Sequence, residues 1–512
     1  MHRLFDFALE PRLANTENLY VRRNGDELSF DTYFNAIPIA KIKKYTAITE
    51  IIFDIEAEGQ FEADICTEHK VIVSQTIDTS GKIAVLIADI PDDSVLLFLA
   101  VRTKNLRRIT VFAESKSVSE VNCALITCTY KREAYVTKNV NYLTENLSQT
   151  TDFDCKIIVV DNGRTLTANH FVDGIVLIPN PNTGGSGGFG RGMKEAVQIG
   201  GFTHLLLMDD DVEIDFSALQ KTLNFLKFLK PEYTDISIAG SMLYLDNPIR
   251  QFEAGGHFYE DGSQKGFGHF LDLSQQENLI INEADNDINY GGWWYMCMPI
   301  KYAREGNFPL PFFLKYDDVE YALRCKQKII TINGVGIWHE RFENKYNSAS
   351  EYYNTRNYLH LCSLYCKDFT KEKAKQFASN RIKAKTDRQQ YQMAKAVLIG
   401  YRDYKKGLKY LQKIDPEKKH RQVCKLNYKF LTYDEIYSLY GFRPADHTFY
   451  PPFDKIGVQD NAKTKEYVFT DMFQDVPEQY QGVKYAVHCD CVENVGYVTV
   501  KNTANCFDML KK

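Results

Sequence analysis

The sequence has no C-x-x-C pair among its twelve cysteines, no apolar run of membrane-spanning length, no excess of basic charge and no internal repeat. Each absence narrows the field. The thiols are scattered, with only Cys362/Cys366 and Cys489/Cys491 within four residues of each other, which fits neither a disulfide framework nor structural zinc and points to a reducing compartment. Met1-His-Arg-Leu-Phe-Asp lacks the apolar core of a signal peptide, so a cytoplasmic location is expected, with membrane contact only from the surface. A formal net charge of −5 excludes a generally basic nucleic-acid binder. Tryptophan is scarce, with three residues in 512, two of them adjacent.

What is present is the composition of a soluble globular protein, 44% hydrophobic and 25% charged, long enough for roughly two to four domains. From about residue 18 to 118, short apolar runs such as Ile48-Thr-Glu-Ile-Ile-Phe-Asp-Ile and Ile83-Ala-Val-Leu-Ile alternate with turn residues, which predicts a β-sandwich over 1–118. From Val121 the pattern becomes strand, helix, strand: Cys123-Ala-Leu-Ile-Thr-Cys-Thr, a helix through Val136 to Leu147, and Lys156-Ile-Ile-Val-Val-Asp. A Gly-rich segment, a helix near Met193 to Ile199 and a strand ending at Asp209 come next, which predicts a doubly wound α/β domain over 119–360 with ligands beyond the strands' carboxyl ends. Residues 361–512 are expected to form a mainly helical domain with a mixed tail, strands falling at Tyr485-Ala-Val-His and Gly496-Tyr-Val-Thr-Val. Within it, 367–421 carries seventeen Lys/Arg against six Asp/Glu, either a solvated helix face or a surface for anionic lipid or a polyanionic acceptor.

Six motifs could carry chemistry. Met208-Asp-Asp-Asp-Val212 follows Leu205-Leu206-Leu207, placing three carboxylates where a buried strand surfaces. Such hard oxygen ligands suit Mg²⁺ or Mn²⁺ on a diphosphate, and a solvated acidic turn is the alternative. Thr127-Cys-Thr-Tyr-Lys-Arg132 and Asp161-Asn-Gly163 close two neighbouring strands; Asp161 can accept from a uracil imide or ribose and Arg132 can meet a phosphate, although Asp-Asn-Gly is also a good turn. Asn180 to Gly192 contains six glycines with no Gly-Lys-Ser/Thr, so it is no P-loop, and it reads as a flexible loop or as backbone approaching a ligand ahead of a helix. Gly291-Gly-Trp-Trp-Tyr offers Trp293 and Trp294 as ligand-facing or core aromatics. Pro311 to Arg324 predicts a hydrophobic strand ending at Asp317-Asp318 before a helix, a place for a general base or for helix-dipole capping, and Gly336-Ile-Trp-His339 adds a histidine.

In this order the motifs resemble the family 2 glycosyltransferases of the nucleotide-sugar GT-A fold, and more narrowly the galactofuranosyltransferases that build bacterial galactans. The match is dense over about 120 to 360. The resemblance implies an α/β GT-A core flanked by an N-terminal β-sandwich and a C-terminal helical region. It makes Asp209, Asp211 and His339 ligands for Mn²⁺ or Mg²⁺, and Asp318 the base on the acceptor hydroxyl. Thr129, Arg132, Asp161, Asn182, Gly185, Asp210, Lys315 and Asp317 become donor-binding, and Trp293 and Trp294 flank the sugar. Tyr316 stands where the mycobacterial polymerases have Trp, and Asp-Asn-Gly departs from their uridine contact. The implied reaction is inverting transfer of galactofuranose from UDP-galactofuranose to a galactose- or galactofuranose-bearing glycan, lipid-linked at the membrane's inner face, with a homo-oligomer left open. Another donor sugar (rhamnose, glucose or N-acetylhexosamine) and a non-catalytic glycan-binding protein are the alternatives.

Overall fold

The computed structural model describes residues 1–172, 174–342, 346–442, 467–471, 480–490 and 494–501. They fall into two compact units, one of 1–258, 264–310 and 317–340, the other of 259–263, 311–316 and 341–512.

In the first unit two antiparallel sheets come first. One orders His2–Asp6, Leu106–Ser115, Ile48–Ala57 and Ser80–Leu86; the other orders Arg22–Asn24, Glu27–Ser29, Leu97–Arg102, Phe61–Thr67 and Val71–Ile77. Alternation of apolar and polar residues buries one face of strands such as Phe61–Thr67, and the rings of Phe7, Phe30 and Phe53 meet at 4.8 and 6.1 Å. Polar ties join these sheets to the remainder of the same unit: Tyr20 donates to Asp215 at 3.0 Å, and buried Lys41 meets Glu283 at 2.7 Å.

The core is a seven-stranded mixed sheet ordered Val176–Pro179, Asp154–Asp161, Asn122–Thr129, His204–Asp209, Tyr295–Pro299, Ile236–Ala239 and Lys328–Ile330. The first four strands are parallel and Tyr295–Pro299 runs against both neighbours. Central strands buried on both faces read as continuous apolar runs, which is why Leu205-Leu206-Leu207 lies here. This is the predicted strand and helix alternation. A second sheet orders Glu213–Ile214, Gly336–His339, Ser241–Tyr244 and Gln251–Glu253.

Two local expectations are overturned. The glycine-rich stretch is not a loop ahead of a helix at Met193; the helix already runs from Gly184 to Ile199. Glycine disfavours a helix by about 1 kcal/mol per residue, but here its missing side chain is what permits packing. A Cβ on Gly188 would collide with the Cys128 sulfur, and one on Gly192 with Ile126. Nor is Pro311–Tyr316 a strand: Phe313, Lys315 and Tyr316 have φ of 71°, 67° and 65°, which no extended segment allows. The helix after it does begin at Asp317.

The second unit contains helices Ser348–Tyr365, Lys371–Asp387, Tyr391–Tyr404 and Pro416–Cys424, started by side-chain caps from Asn347, Thr370 and Asp415 in three cases. Fully buried Glu351 ties the first two together by accepting from Arg381 at 2.7 Å and pairing with Lys385 at 2.6 Å. The predicted tail strands are Tyr485–Asp490 and Val495–Val500, antiparallel, with Tyr467–Asp471 added on one side. No helix among the described residues is long and apolar enough to cross a membrane.

Gly192→Ala should lower thermal stability by about 1–3 kcal/mol through overpacking against Ile126 and Val160, outweighing the helix-propensity gain. Gly185→Ala, with open space at its Cβ, should hold or slightly raise the melting temperature through the helix-propensity gain. Differential scanning calorimetry of both variants distinguishes a packing role from a loop.

Candidate active site

Strand register assembles the site. Parallel pairing sets Thr129 opposite Asp161 and Cys128 opposite Asp209, so three adjacent strands end together. Beyond the Asp209 end, Glu213 pairs with Trp338 in antiparallel register, which brings the preceding acidic loop alongside His339. One ligand atom from each of Asp209, Asp211 and His339 lies within 4.8 Å of the others. His339 Nδ1 donates to the Glu340 carbonyl, since a carbonyl can only accept, and Nε2 lies 3.3 Å from Asp211 Oδ1. A histidine tied in this way, beside two carboxylates, suits a divalent cation such as Mn²⁺.

The rest of the acidic loop is held from the helix Glu133–Leu147, where buried Asn139 donates to the carbonyls of Asp210 at 3.0 Å and Val212 at 2.6 Å. Burial, then the neighbouring Asp211, pushes the Asp210 carboxyl up to about 6, against the Thr129 hydroxyl and Arg132. Arg132, expected at a phosphate, points into this loop: its Nη1 lies 3.4 Å from Asp210 and closer to Asp211. Burial raises the Cys128 thiol, and Asp210, Asp209, Asp161 and Asp317 raise it further, so one sulfur senses carboxylates from two strand ends and a helix start.

Asp161 is buried and turns both oxygens on its own loop, accepting from Gly163 N and Leu166 N at 2.8 Å each. Asn182 accepts from Gly184 N at 3.1 Å at the start of the glycine-rich helix. Trp293 and Trp294 occupy a turn rather than a strand and both are buried. Trp294 Nε1 donates to Gly240 O at 2.8 Å, while Trp293 sits edge-on to Phe189 at 5.4 Å and Tyr321 at 5.8 Å. Asp318 accepts from Val319 N at 2.8 Å in the first turn of its helix. Lys315 belongs to the second unit, its ammonium 4.5 Å from the Phe342 ring centre.

Sequence reasoning missed Glu253. This buried carboxyl ends the Gln251–Glu253 strand, and burial, followed by the charge of Asp318, pushes it up to about 8. His269 Nε2 is 3.8 Å away. A Cβ on Gly266 would strike both side chains, so the hairpin residue is glycine where they meet. No local motif announces Glu253, because its partner Asp318 is distant in the chain.

Residues 124–288 match the family described as glycosyl transferase family 2, and residues 12–105 match the galactofuranosyltransferase 2 N-terminal family. The chain is 25% identical over 377 residues to galactofuranosyltransferase GlfT2 of Mycolicibacterium smegmatis, covering 66% of this chain and 58% of that protein. It is 24% identical over 381 residues to GlfT2 of Mycobacterium tuberculosis, with the same two coverages, 66% and 58%. The chain thus spans somewhat over half the length of these curated relatives. Among solved structures, mannosyltransferase PcManGT from Pyrobaculum calidifontis in complex with GDP-Man and Mn²⁺ superposes with a TM-score of 0.31 at 11% identity, over 57% of this chain and 86% of that one. S. aureus TarS 1-349 superposes at 0.33 and 13%, over 60% and 90%.

Because Glu253 holds its proton to higher pH folded than unfolded, its contribution to stability falls as pH rises from about 4.5 through about 8. Glu253→Gln should therefore gain stability relative to the wild type across that window, reaching roughly 2–4 kcal/mol above pH 8. Urea denaturation at pH 6 and pH 9 measures this, and a pH-independent difference would reject the assignment.

Proposed function

We propose that this chain, which resembles the family 2 galactofuranosyltransferases and has an α/β GT-A core, transfers galactofuranose from UDP-galactofuranose with inversion onto a galactose- or galactofuranose-containing glycan in cell-surface polysaccharide synthesis. The observation that carries it is the convergence of Asp209, Asp211 and His339 beyond the carboxyl end of a buried strand, with Asp318 at a separate helix start. The matching N-terminal family favours galactofuranose over rhamnose, glucose or N-acetylhexosamine.

Each residue has a task in this reading. Asp209, Asp211 and His339 hold Mn²⁺ or Mg²⁺, which when bound supplies positive charge to the departing diphosphate. Asp318 takes the proton of the acceptor hydroxyl as that oxygen attacks the anomeric carbon. Inversion needs the base and the leaving group on opposite faces of the sugar, which is why the two acidic groups come from different elements. Thr129, Asp161, Asn182 and Gly185 frame the nucleotide, Arg132, Asp210, Lys315 and Asp317 the phosphates and donor sugar, and Trp293 and Trp294 shape the sugar site. Glu253, protonated at neutral pH, donates to an acceptor hydroxyl beside Asp318. The proposed division is a β-sandwich over 1–118, the catalytic domain over 119–360 and a mainly helical domain with a mixed tail over 361–512. A lipid-linked acceptor would place the protein at the membrane's inner face, through the basic segment 367–421.

Purified protein with UDP-galactofuranose, Mn²⁺ and short galactosyl acceptors should give an elongated product by mass spectrometry; intact donor with every acceptor would refute the reading. Asp318→Ala should abolish turnover and leave UDP binding by calorimetry largely unchanged. Asp211→Asn and His339→Ala should each weaken Mn²⁺ binding about tenfold or more, read by electron paramagnetic resonance of free Mn²⁺. Anionic vesicles at low salt should float the protein, and neutral vesicles should not.

A further inference from the structure

Arg132, the proposed phosphate contact, is paired in this structure with a proposed metal ligand. It immediately precedes the helix Glu133–Leu147, and its Nη1 meets Asp211 Oδ2 and lies 3.4 Å from Asp210 Oδ1. The other Asp211 oxygen, Oδ1, is 3.3 Å from His339 Nε2. One carboxylate therefore serves two arrangements, the pair with the guanidinium and the ligand set of Asp209, Asp211 and His339. A divalent cation and a guanidinium repel each other across a single carboxylate, so each weakens the hold of the other. The two partners differ in freedom: the Asp211 side chain is 9% exposed, whereas that of Arg132 is 39% exposed on a long, flexible stem. The acidic loop keeps its shape without the pair, because Asn139 donates to the carbonyls of Asp210 and Val212 from the same helix. All of these residues belong to the first unit.

We propose that Arg132 couples cation binding to nucleotide binding by alternating between the Asp211 carboxylate and the donor's diphosphate. The proposal rests on the reading of Asp209, Asp211 and His339 as metal ligands and of Arg132 as a phosphate contact. A diphosphate carries more negative charge than one carboxylate and matches the fork of a guanidinium, so it draws Arg132 off Asp211. Asp211 is then left to the cation. With no diphosphate to turn to, Arg132 competes for Asp211 and keeps cation binding weak. Each ligand thus tightens the other by one shared factor, as linkage requires. A guanidinium that never moved would hinder the cation equally with and without nucleotide, and would add nothing to that factor.

Electron paramagnetic resonance of free Mn²⁺ gives its Kd with and without saturating UDP, and the ratio of the two is the coupling factor. The Mn²⁺–UDP complex formed in solution enters wild type and variant alike and cancels between them. Arg132→Gln, which removes the charge, should bind Mn²⁺ about five- to tenfold more tightly in the absence of UDP, with a coupling factor smaller by a similar ratio. Its affinity for UDP should fall. Arg132→Lys, which keeps the charge but not the fork, should lie between wild type and Arg132→Gln in both quantities. Should Arg132→Gln fail to fold, Arg132→Lys carries the same comparison. An unchanged coupling factor overturns the alternation, whether Mn²⁺ affinity shifts equally in both conditions or not at all. Weaker Mn²⁺ binding by Arg132→Gln in the absence of UDP also overturns it. If the wild type binds no Mn²⁺ or no UDP, the donor-site reading has failed and the alternation falls with it. A wild type that binds both, beside a variant with the same coupling, removes the alternation alone.

Discussion

Repulsion among carboxylates is the constraint on which the rest of this structure depends. Asp209, Asp210 and Asp211 follow one another at the mouth of a buried strand, and Asp161 and Asp317 are close enough for one thiol to sense them. Partly buried like charges raise each other's proton affinity, and the raised Asp210 is the visible result. Two devices hold the cluster together: Asn139 fixes the loop's backbone and Arg132 lends positive charge. In the proposed reading a bound cation would relieve that repulsion.

Pairing geometry decides which side chains meet there. The parallel register of three strands delivers Thr129, Asp161 and Asp209 to one edge, and the short Glu213–Ile214 strand delivers His339 by pairing with Gly336–His339. A one-residue slip in either ladder would turn these side chains to the opposite face. The two-residue strand therefore matters to the site out of proportion to its length. Its other neighbour interactions, Arg12 with Glu213 at 3.3 Å and Lys138 with the same carboxylate, keep that register from sliding.

Much of this was legible in the sequence, and the limits are instructive. Apolar runs ending in carboxylates placed the strand ends correctly because burial and its termination are both local signals. The glycine-rich stretch misled because glycine's local preference opposes a helix, whereas its reason for being helical lies in Cys128 and Ile126 on neighbouring strands. Pro311 to Tyr316 misled in the opposite way: an apolar run reads as a strand, but its backbone is set by Arg356 and Asn357 on a helix not yet reached in the chain. Glu253 was invisible for a third reason. Its shifted proton affinity arises from burial and from Asp318, neither of which a short window can contain.

The left-handed segment Pro311–Tyr316 also orders events in time. Asn357 lies 42 residues beyond Lys315, so a ribosome synthesising the chain releases this segment before it releases the side chain that holds three of its carbonyls. Until then the segment can relax toward ordinary right-handed or extended backbone. Acquisition of its final geometry is thus a late step of maturation.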